Sequence, residues 1–563
     1  MNLKLRQVLG LSLLTVAGLA DASCSSSSGS SCSSTALPVD LSGVSCETAA
    51  VSEVGYGKTF FSLRPQHSDG ARDQMGTSGR IHQFAKQEFH GDVSLALQWQ
   101  QSTNDTELGS WFFFNGTNSM TYGPNWNAAA NTEEVDVNSL NFAVTASGTI
   151  VATPRVQNLV ADFQLYLGWD EFVQGLWTRV GVPVNYVRTD MRLADTVGTA
   201  DANNFLAGYY NIGDFDDTSS LAPVYDNLAE AWVGDQAAGD LPVRANGNIN
   251  GRRSHVSVAG LSFELGYDFL RREHGHLGLS LRAVAPTGNT PSSTYVFEPI
   301  SGANSCWEIG GGLTGAYELW SDSDDSSLNF AIDANVTHVG RRAQRRLLNL
   351  KNIRSGSDNG STSASAGSSW LVLKKFSSSD VYAGTLAHAA DKLALVVKVG
   401  NAVMADAAAS LKYRWGNYGL AVGYNFWARS KETASAREAS VFDTDNYAIK
   451  EASGNHGSSS NMNTSNTVCA TKASSDITRA GTTVTSSPSA QYLTDADVDV
   501  CAALHPSVRS HKVFGSVEYN WSDNEWEPYL LLGGSYEIGC KASDVKNSAV
   551  NQWGVLAKGG IAF

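Results

Sequence analysis

The chain has little charge and no long apolar run after its first residues. Only 17% of its 563 residues are charged. A helix that crosses a bilayer needs about 20 mostly apolar residues, and no stretch of roughly 18 or more follows the N-terminus. The formal net charge is -15, whereas nucleic-acid binding requires a basic surface. The sequence therefore predicts no spanning helix and no nucleic-acid partner.

The sequence also lacks the motifs of common enzymes and metal sites. It contains no G-x-S-x-G, no H-E-x-x-H and no P-loop. No C-x-x-C occurs, and no Cys/His cluster has the spacing of a zinc site. Gly310–Gly312 lies within a strand pattern, where glycine lets neighbouring strands approach closely. We predict that the chain is not an enzyme and binds no cofactor or metal.

Alternation of apolar and polar residues is abundant instead. Asp92–Gln100 places Val93, Leu95, Leu97 and Trp99 on one face of a strand and polar or small residues on the other. Most such segments have about nine to eleven residues, enough for a tilted strand to cross a bilayer. Twelve segments share the pattern: Asp92–Gln100, Leu159–Trp169, Val180–Tyr186, Leu261–Phe269, Leu277–Ala283, Ile309–Leu319, Leu328–Val336, Val403–Tyr413, Tyr418–Ala428, Val513–Trp521, Leu530–Ile538 and Trp553–Phe563.

The connections between these segments alternate between long and short. The short ones are Asp170–Gly175, Arg271–His276, Trp320–Ser327, Gly416–Asn417 and Ser522–Glu527. The long ones are 102–155, 193–252, 288–306, 340–402, 431–510 and 541–551. This arrangement predicts an all-β fold: a single antiparallel transmembrane β-barrel of about 12 strands (12–14), with short periplasmic turns and long extracellular loops. The apolar run Trp111–Phe114 is either an extra short strand or a loop folded inward.

Both ends of the chain predict export to an outer membrane. Lys4 and Arg6 precede the apolar stretch Val8–Ala20, so residues 1–22 are predicted to be a signal peptide. Residues 23–84 are predicted to form a periplasmic N-terminal extension, and residues 85–563 the barrel. Within the extension, Ser68–Met75 predicts a short helix that either plugs the lumen or lies on the surface. The last residue, Phe563, is in phase with the apolar face of its strand; outer-membrane barrels typically end this way, and the terminal aromatic is part of the signal that their insertion machinery reads. The sequence thus predicts the outer membrane of a Gram-negative-type bacterium.

The long loops have a different composition. Segment 431–510 is rich in Ser, Thr, Asn and Ala, and 354–369 is a Gly/Ser tract; such compositions predict segments that bury no core. Pro223–Val233 predicts a helix within the second long loop. Seven Cys in an exported chain suggest disulfides, and Cys469 with Cys501 is the candidate pair. The odd number leaves at least one thiol free or paired between chains.

Charged residues opposite the apolar faces are the candidates for a functional site. Such residues are disfavoured against lipid, so they are expected to line the lumen, where rings of charge set ion preference. Alternatively, acids and bases pair across the lumen and fill it. The pore-lining candidates are Glu264, Asp268, Arg282, Glu308, Glu318, Asp333, Asp406, Lys412, Arg414, Arg429, Glu518, Glu537 and Lys558.

A basic cluster and a set of aromatic residues lie near strand ends. The cluster comprises Arg341, Arg342, Arg345 and Arg346, and it would contact lipopolysaccharide phosphates, form a constriction or remain solvated at the extracellular rim. The aromatic residues are expected to form belts at the membrane interfaces. They are Trp169, Phe172, Trp177, Trp320, Trp415, Phe426, Trp427, Trp521, Trp526 and Trp553.

Some of these segments resemble known barrels. The strand exit Val284–Asn289 and the strand segment Gly423–Phe426 look like those of outer-membrane porin-like proteins. The Cys residues beside a Ser-rich leader are similar to the cysteine-containing major outer-membrane proteins of intracellular bacteria such as Legionella and Chlamydia. The resemblance covers the general pattern of residues 85–563. It implies an abundant pore-forming envelope protein that is cross-linked by disulfides.

The sequence therefore predicts a porin-like protein that passes small solutes or ions by diffusion through a charged lumen. Two alternatives stay open at this point. One is a plugged barrel that serves as a structural envelope protein or adhesin. The other is a transporter of hydrophobic solutes, which would need an apolar pocket in the lumen. Expected partners are outer-membrane lipid, lipopolysaccharide, the barrel-assembly machinery and the solute, and an oligomer is compatible with the sequence.

Overall fold

A computed structural model describes most of the chain outside several loop segments. The described residues are 37–41, 57–76, 89–113, 116–123, 135–136, 147–199, 227–237, 241–249, 251–272, 274–322, 326–350, 367–376, 378, 382–449, 492–521, 526–540 and 549–563. Among these residues, no helix is long and apolar enough to cross a membrane. The residues from Val39 onward belong to one compact unit.

Twelve long antiparallel strands form the main sheet. Their order along the sheet follows their order in the chain, and each pairs with the next. They are β1 Phe89–Ser102, β2 Arg155–Trp169, β3 Leu176–Asp190, β4 Leu261–Arg272, β5 Gly275–Ala285, β6 Glu308–Ser321, β7 Ser326–Val339, β8 Met404–Trp415, β9 Tyr418–Arg429, β10 Val508–Asn520, β11 Glu527–Cys540 and β12 Gln552–Ala562.

Two pairings close this sheet into a barrel. The last strand β12 pairs with β1 over eleven positions, from Asp92 opposite Ala562 to Ser102 opposite Gln552. Strand β4 pairs with β3 from Ser262 opposite Gly181 to Tyr267 opposite Leu176. A thirteenth strand, Arg252–Val258, continues along the upper part of β3. The predicted all-β fold with twelve barrel strands is confirmed.

Each predicted strand lies within, or overlaps, one of the observed strands, and each predicted short turn joins two of them. The Gly416–Asn417 turn has the predicted bounds, because β8 ends at Trp415 and β9 begins at Tyr418. The apolar run in the first long loop does not form the extra strand that was one of its two predicted alternatives. Helix α2, Asp105–Phe112, includes Trp111 and Phe112, and both are buried.

The outer face of the barrel is apolar. Alternate strand residues are large apolar side chains with high exposure, such as Leu281 at 71% and Leu532 at 66%. Their neighbours along the strands, such as Arg282 and Lys558, are buried and point to the inside. Aromatic rings lie close together near the short turns, as between Trp415 and Tyr418. Trp177 and Trp427 do not belong to an outer belt, because each is only 2% exposed; the sequence pattern did not reveal that they face inward.

The long connections fold together into a cap with its own core. The cap strands are Val39–Asp40, Ser119–Gly123, Val135–Asp136, Ser147–Ala152, Leu193–Thr199, Arg342–Leu347, Asn349–Leu350, Val372–Phe376, Tyr382–His388, Ala394–Asn401, Glu432–Arg437, Asn446–Ile449 and Val498–Asp499. Short 3-10 helices occur at Ser368–Trp370, Val441–Asp443, Asp495–Asp497 and Cys501–Ala503. The α-helices α3, Leu228–Val233, and α4, Ala389–Leu393, also lie among these connections.

A single apolar cluster unites these loops. It includes Trp111 from the first loop, Trp232 from the second, Leu373 from the fourth and Leu493 from the fifth. The prediction that 431–510 buries no core is therefore wrong for its described parts, which place apolar side chains in this cluster between long polar stretches. Helix α3 confirms the C-terminal part of the predicted Pro223–Val233 helix, and residues 223–226 lie outside the described residues.

The N-terminal segment runs through the inside of the barrel. Val39 and Asp40 pair with Arg437 and Ala436 of the cap. Residues 57–76, which we call the plug, continue into the lumen and include helix α1, Gly70–Gln74. This helix lies within the predicted Ser68–Met75 and contacts strands β7, β8, β9 and β10. The described part of the predicted periplasmic extension thus occupies the lumen and the cap.

Candidate functional site: a plugged, charged lumen

Polar side chains of the plug meet charged side chains of the wall. The guanidinium group of plug residue Arg64 reaches two acids on different strands. Its Nη2 lies 2.7 Å from Asp406 Oδ2 and its Nη1 lies 2.9 Å from Glu537 Oε1. Asn425 also accepts a hydrogen bond from Nη2 at 2.7 Å. One plug residue therefore connects β8, β9 and β11.

His67 links the plug to the opposite part of the wall. Its Nε2 lies 2.7 Å from Glu308 Oε1, and its Nδ1 lies 2.6 Å from the carbonyl oxygen of Ala259. Arg282 donates to the carbonyl oxygen of His67 at 2.7 Å. A side chain at Gly260 would collide with the imidazole ring, because its Cβ would lie 2.4 Å from His67 Nδ1. Glycine at position 260 is thus what allows His67 to dock here.

Helix α1 carries the most deeply enclosed contacts. Asp69 forms an ion pair with Lys512 at 2.9 Å. Arg72 forms one with Asp162 at 2.9 Å and donates to Gln98 at 2.9 Å. Arg72, Lys512 and Asp69 are at most 3% exposed. Buried ion pairs of this kind hold a segment in one place because separating them leaves an unpaired charge.

Ten of the thirteen predicted pore-lining residues are buried on the inside of the barrel. Nine of the ten contact the plug or another charged wall residue directly: Glu264, Arg282, Glu308, Asp333, Asp406, Lys412, Arg429, Glu518 and Glu537. Arg429 donates to plug residue Ser62 at 2.7 Å, and Lys558 lies 3.5 Å from Gln164. The charges that were expected to face an open lumen thus face the plug or one another.

The other three predicted residues lie near the short turns. Asp268 accepts a hydrogen bond from Trp177 at 3.1 Å. Glu318 lies 3.2 Å from His274 in the turn region and is partly exposed. Arg414 is half-buried one residue before the end of β8. These residues belong to the lower rim of the barrel and not to the plug contacts.

Several residues of this site were missing from the predicted set. Lys512 and Arg179 each lie one residue before the predicted starts of their strands, at Val513 and Val180. Arg179 lies 3.5 Å from Asp333 and 3.7 Å from Glu264. An extension of the alternation by one residue would have found both. The plug residues carried no periodic signal, because most of the plug is neither helix nor strand.

The predicted basic cluster does not act as a unit. Arg346 is 1% exposed and pairs with Glu432, with Nη2 to Oε1 at 3.1 Å and Nη1 to Oε2 at 3.2 Å. Arg342 donates to the carbonyl oxygen of Ser305 and Arg345 to that of Ala394. Arg341 donates to Thr433 at 3.4 Å. Arg346 therefore stabilises the cap from within.

The predicted pairing of Cys469 with Cys501 stays a prediction, since Cys469 lies outside the described residues. Cys306 is a buried free thiol, and Cys540 is half-buried. In the described part of the chain no group of three or more metal-ligating side chains is found.

Two buried histidines of the cap are held neutral. His388 is 2% exposed and its Nε2 lies 2.8 Å from the carbonyl oxygen of Pro242. Burial, and secondarily the nearby Arg244, lowers the pKa of His388 to about 3. Burial and the neighbouring Arg429 also lower the pKa of His505 well below its usual value. Both side chains resist protonation only while the cap is closed.

We expect the cap to lose stability as the pH falls. Between the ordinary histidine pKa of 6.5 and about 3, the opened cap binds a proton at His388 that the closed cap does not bind. The free energy of cap opening should therefore decrease as the pH is lowered through this window. Hydrogen exchange of residues 382–393, scaled for its intrinsic pH dependence, measures it at pH 7 and pH 4.5. The variant His388→Gln should show a weaker pH dependence; equal protection at both pH values in the native chain would contradict the prediction.

The fold and site define a class: a closed twelve-stranded barrel with an apolar outside, an internal N-terminal plug and a loop cap. No protein-family model matches the chain, and no curated protein does. Neither comparison supports the resemblance to the cysteine-containing major outer-membrane proteins.

Solved structures of outer-membrane barrels show a distant likeness. An outer membrane channel from Pseudomonas putida F1 is 9% identical, with a TM-score of 0.33, over 84% of this chain and 96% of that one. A Pseudomonas aeruginosa FadL homologue is 7% identical, with a TM-score of 0.26, over 91% and 97%. The CymD monoaromatic hydrocarbon channel is 8% identical, with a TM-score of 0.25, over 88% and 94%. With TM-scores this low, none of these likenesses supports a statement about what the chain does.

Proposed function

We propose that the chain is an outer-membrane channel for small polar solutes that is closed, in this conformation, by its own plug and cap. The observation that carries the proposal is the plug itself, a separate segment that fills the lumen. Eight-stranded barrels are filled by their wall side chains, and wider barrels leave room for a channel or a plug. A twelve-stranded barrel with a purely structural role would not need a separate plug segment in its lumen.

The character of the plug contacts supports gating. They are mainly ion pairs and hydrogen bonds, such as Arg64 with Asp406 and Asp69 with Lys512. The apolar contact of the plug with the barrel wall is small and involves Ala71 and Met75 with four wall residues, whereas Phe61 at the other end of the plug packs in the apolar core of the cap. Water can replace polar partners when the plug moves, so exposing the two surfaces costs less than exposing an apolar core. The same polar walls argue against a hydrophobic-solute transporter.

The proposed location in a membrane is supported by the apolar outer face of the barrel. Apolar residues cover it on all twelve strands, and the strands are long enough to cross a bilayer. Phe563 continues this face at the end of β12, and its ring lies 6.2 Å from Phe89 and 6.0 Å from Trp526. We propose the outer membrane of a Gram-negative-type bacterium, with lipopolysaccharide around the barrel and the assembly machinery acting through Phe563.

We expect Leu281→Arg to destabilise the barrel in a membrane. Leu281 is 71% exposed in the middle part of β5, and arginine on the lipid face at mid-depth costs about 2–4 kcal/mol. Urea unfolding from phospholipid vesicles measures this free energy. The control Val243→Arg replaces an exposed residue outside the barrel wall and should change little. An equally small effect of both substitutions would contradict the location of the membrane belt.

Solute entry into liposomes tests the proposed function. Vesicles that contain the full chain are placed in solutions of neutral sugars of increasing size, and their swelling is recorded by light scattering. We expect entry of the smallest sugars above the rate of empty vesicles, with a sharp size limit, and faster entry with Arg72→Met, which loosens the plug. No entry with either protein would overturn the channel and favour a structural or adhesive envelope protein.

A further inference from the structure

The outer face of the barrel changes from apolar to basic within one row of residues on its upper side. Leu159 on β2 and Val256 on the thirteenth strand are exposed apolar residues, and Tyr186 on β3 lies between them in the sheet. One row further up, Arg188 takes the place of Tyr186 and lies opposite Gln157 on β2. Tyrosine is common where the hydrocarbon of a membrane meets its headgroups. In the proposed membrane, Arg188 therefore lies at the level of the headgroups.

Four arginines share this upper region, which we call the basic patch: Arg155, Arg188, Arg192 and Arg252. Two carboxylates pair with three of them. Asp105 Oδ2 lies 3.1 Å from Arg155 Nη2 and 3.2 Å from Arg192 Nη1. Asp190 Oδ2 lies 3.5 Å from Arg252 Nε. The arginines thus outnumber the acids that they contact, so the patch is positive although the whole chain has a net charge of -15.

Arg188 is the arginine of the basic patch that has no partner. Its side chain is half-buried on the outer face, and within the described part of the chain it makes no hydrogen bond and no ion pair. It lies opposite Gln157 on β2 and opposite Ser254 on the thirteenth strand. Two residues before these lie Arg155 and Arg252, which are therefore its diagonal neighbours, about 7–8 Å away. Like charges at this spacing repel each other, and an anion held among them would offset the repulsion.

We infer that the basic patch binds the phosphate of an anionic glycolipid, the phosphomonoester of lipid A. The planar fork of arginine matches phosphate oxygens with two hydrogen bonds, and a phosphomonoester carries about -1.5 to -2 charges at neutral pH. The exposed apolar row directly below the patch offers a surface for acyl chains, which favours a lipid over a free phosphate ion. None of the four arginines belongs to the basic cluster that the sequence predicted for this role. The inference rests on the proposed location in the outer membrane, and it goes beyond the proposed channel because it concerns the outside of the barrel.

Lipid binding is tested on the full chain in a maltoside detergent, with bound lipids counted by native mass spectrometry. Lipid A that carries both phosphates is added to the folded barrel, in parallel with lipid A from which the phosphates have been removed. We expect saturable binding of the phosphorylated form and binding about tenfold weaker, or less, for the phosphate-free form. Arg188→Gln should weaken binding of the phosphorylated form by about tenfold, which corresponds to the loss of one charge-assisted hydrogen bond. Inorganic phosphate at the same concentration should not compete, since it has no acyl chains.

A matched control makes the same change at the opposite rim of the barrel. Arg272 is exposed at the end of β4, beside a short turn, so Arg272→Gln should leave lipid A binding unchanged. Heat-modified mobility of the folded barrel verifies that each variant is folded. Equal binding of both forms of lipid A, equal effects of the two substitutions, or full competition by inorganic phosphate would overturn the inference. Because binding is measured without conduction, a silent barrel that binds lipid A would remove the proposed channel and keep this site, and a conducting barrel that binds none would do the reverse.

Discussion

Replacing Arg72 by methionine should weaken the attachment of the plug to the barrel wall. We expect the free energy of unfolding to fall by about 3–5 kcal/mol, the usual loss when one member of a buried ion pair is removed. Arg72 is 1% exposed, and its partner Asp162 is 3% exposed. Methionine keeps much of the length of the side chain but leaves the carboxylate of Asp162 without its cation. The cleavage rate of residues 57–76 by an added protease, and the free energy of unfolding in urea, both measure the effect.

A matched ion pair on the surface provides the control for Arg72→Met. Arg252 pairs with Asp190 at 3.5 Å, but its side chain is 63% exposed. Arg252→Met should therefore change the free energy of unfolding by about 0–1 kcal/mol. The double variant Arg72→Met/Asp162→Asn removes both charges and should recover part of the loss. A loss for Arg72→Met no larger than that for Arg252→Met would show that the buried pair does not hold the plug.

Replacing Arg346 by methionine should loosen the cap by a similar amount, about 3–5 kcal/mol. Both Arg346 and Glu432 have side chains that are 1% exposed. Arg346 also donates to the carbonyl oxygen of Ala503 at 2.8 Å and lies over the ring of Phe60 at 3.4 Å. One guanidinium group thus joins two long loops to the start of the plug. Without it, Glu432 loses its directly paired cation but keeps the hydrogen bond from the backbone amide of His505.

Hydrogen exchange in the cap strands Arg342–Leu347 and Glu432–Arg437 measures the loss for Arg346→Met. The control is its neighbour Arg345, which is exposed and donates to the carbonyl oxygen of Ala394 at 2.6 Å. Arg345→Met should reduce protection by no more than the net worth of one hydrogen bond, about 0.5–1.5 kcal/mol. Equal protection in the two variants would mean that the Arg346–Glu432 pair does not stabilise the cap.

The barrel could be predicted from the sequence because its two faces differ. Leu281 and Arg282 are neighbours in the chain, yet one faces outward and the other inward, and this alternation repeats on every strand. The predicted strand bounds were wrong at some strand ends, where no further apolar residue extends the alternation. Lys512 and Arg179 were missing from the predicted pore-lining residues for this reason, although each is part of the lumen site.

The plug and cap could be predicted only in part, because their contacts are between residues far apart in sequence. His67 meets Glu308 across 241 positions, and Lys512 meets Asp69 across 443. No local pattern identifies such partners. The sequence did place a short helix near Ser68–Met75, but it left open whether this helix plugs the lumen or lies on the surface. The cap core was missed because its apolar residues are scattered among polar stretches.

Single-channel recording tests the central claim, that the plug closes a solute channel. The full chain and a variant lacking residues 39–76 are refolded and inserted into the same planar bilayers. The variant keeps all twelve strands, since β1 begins at Phe89. The account predicts brief or no openings for the full chain and long, discrete openings of uniform size for the variant. A variant that inserts as a folded barrel and stays silent, or a full chain that conducts equally well, would contradict it.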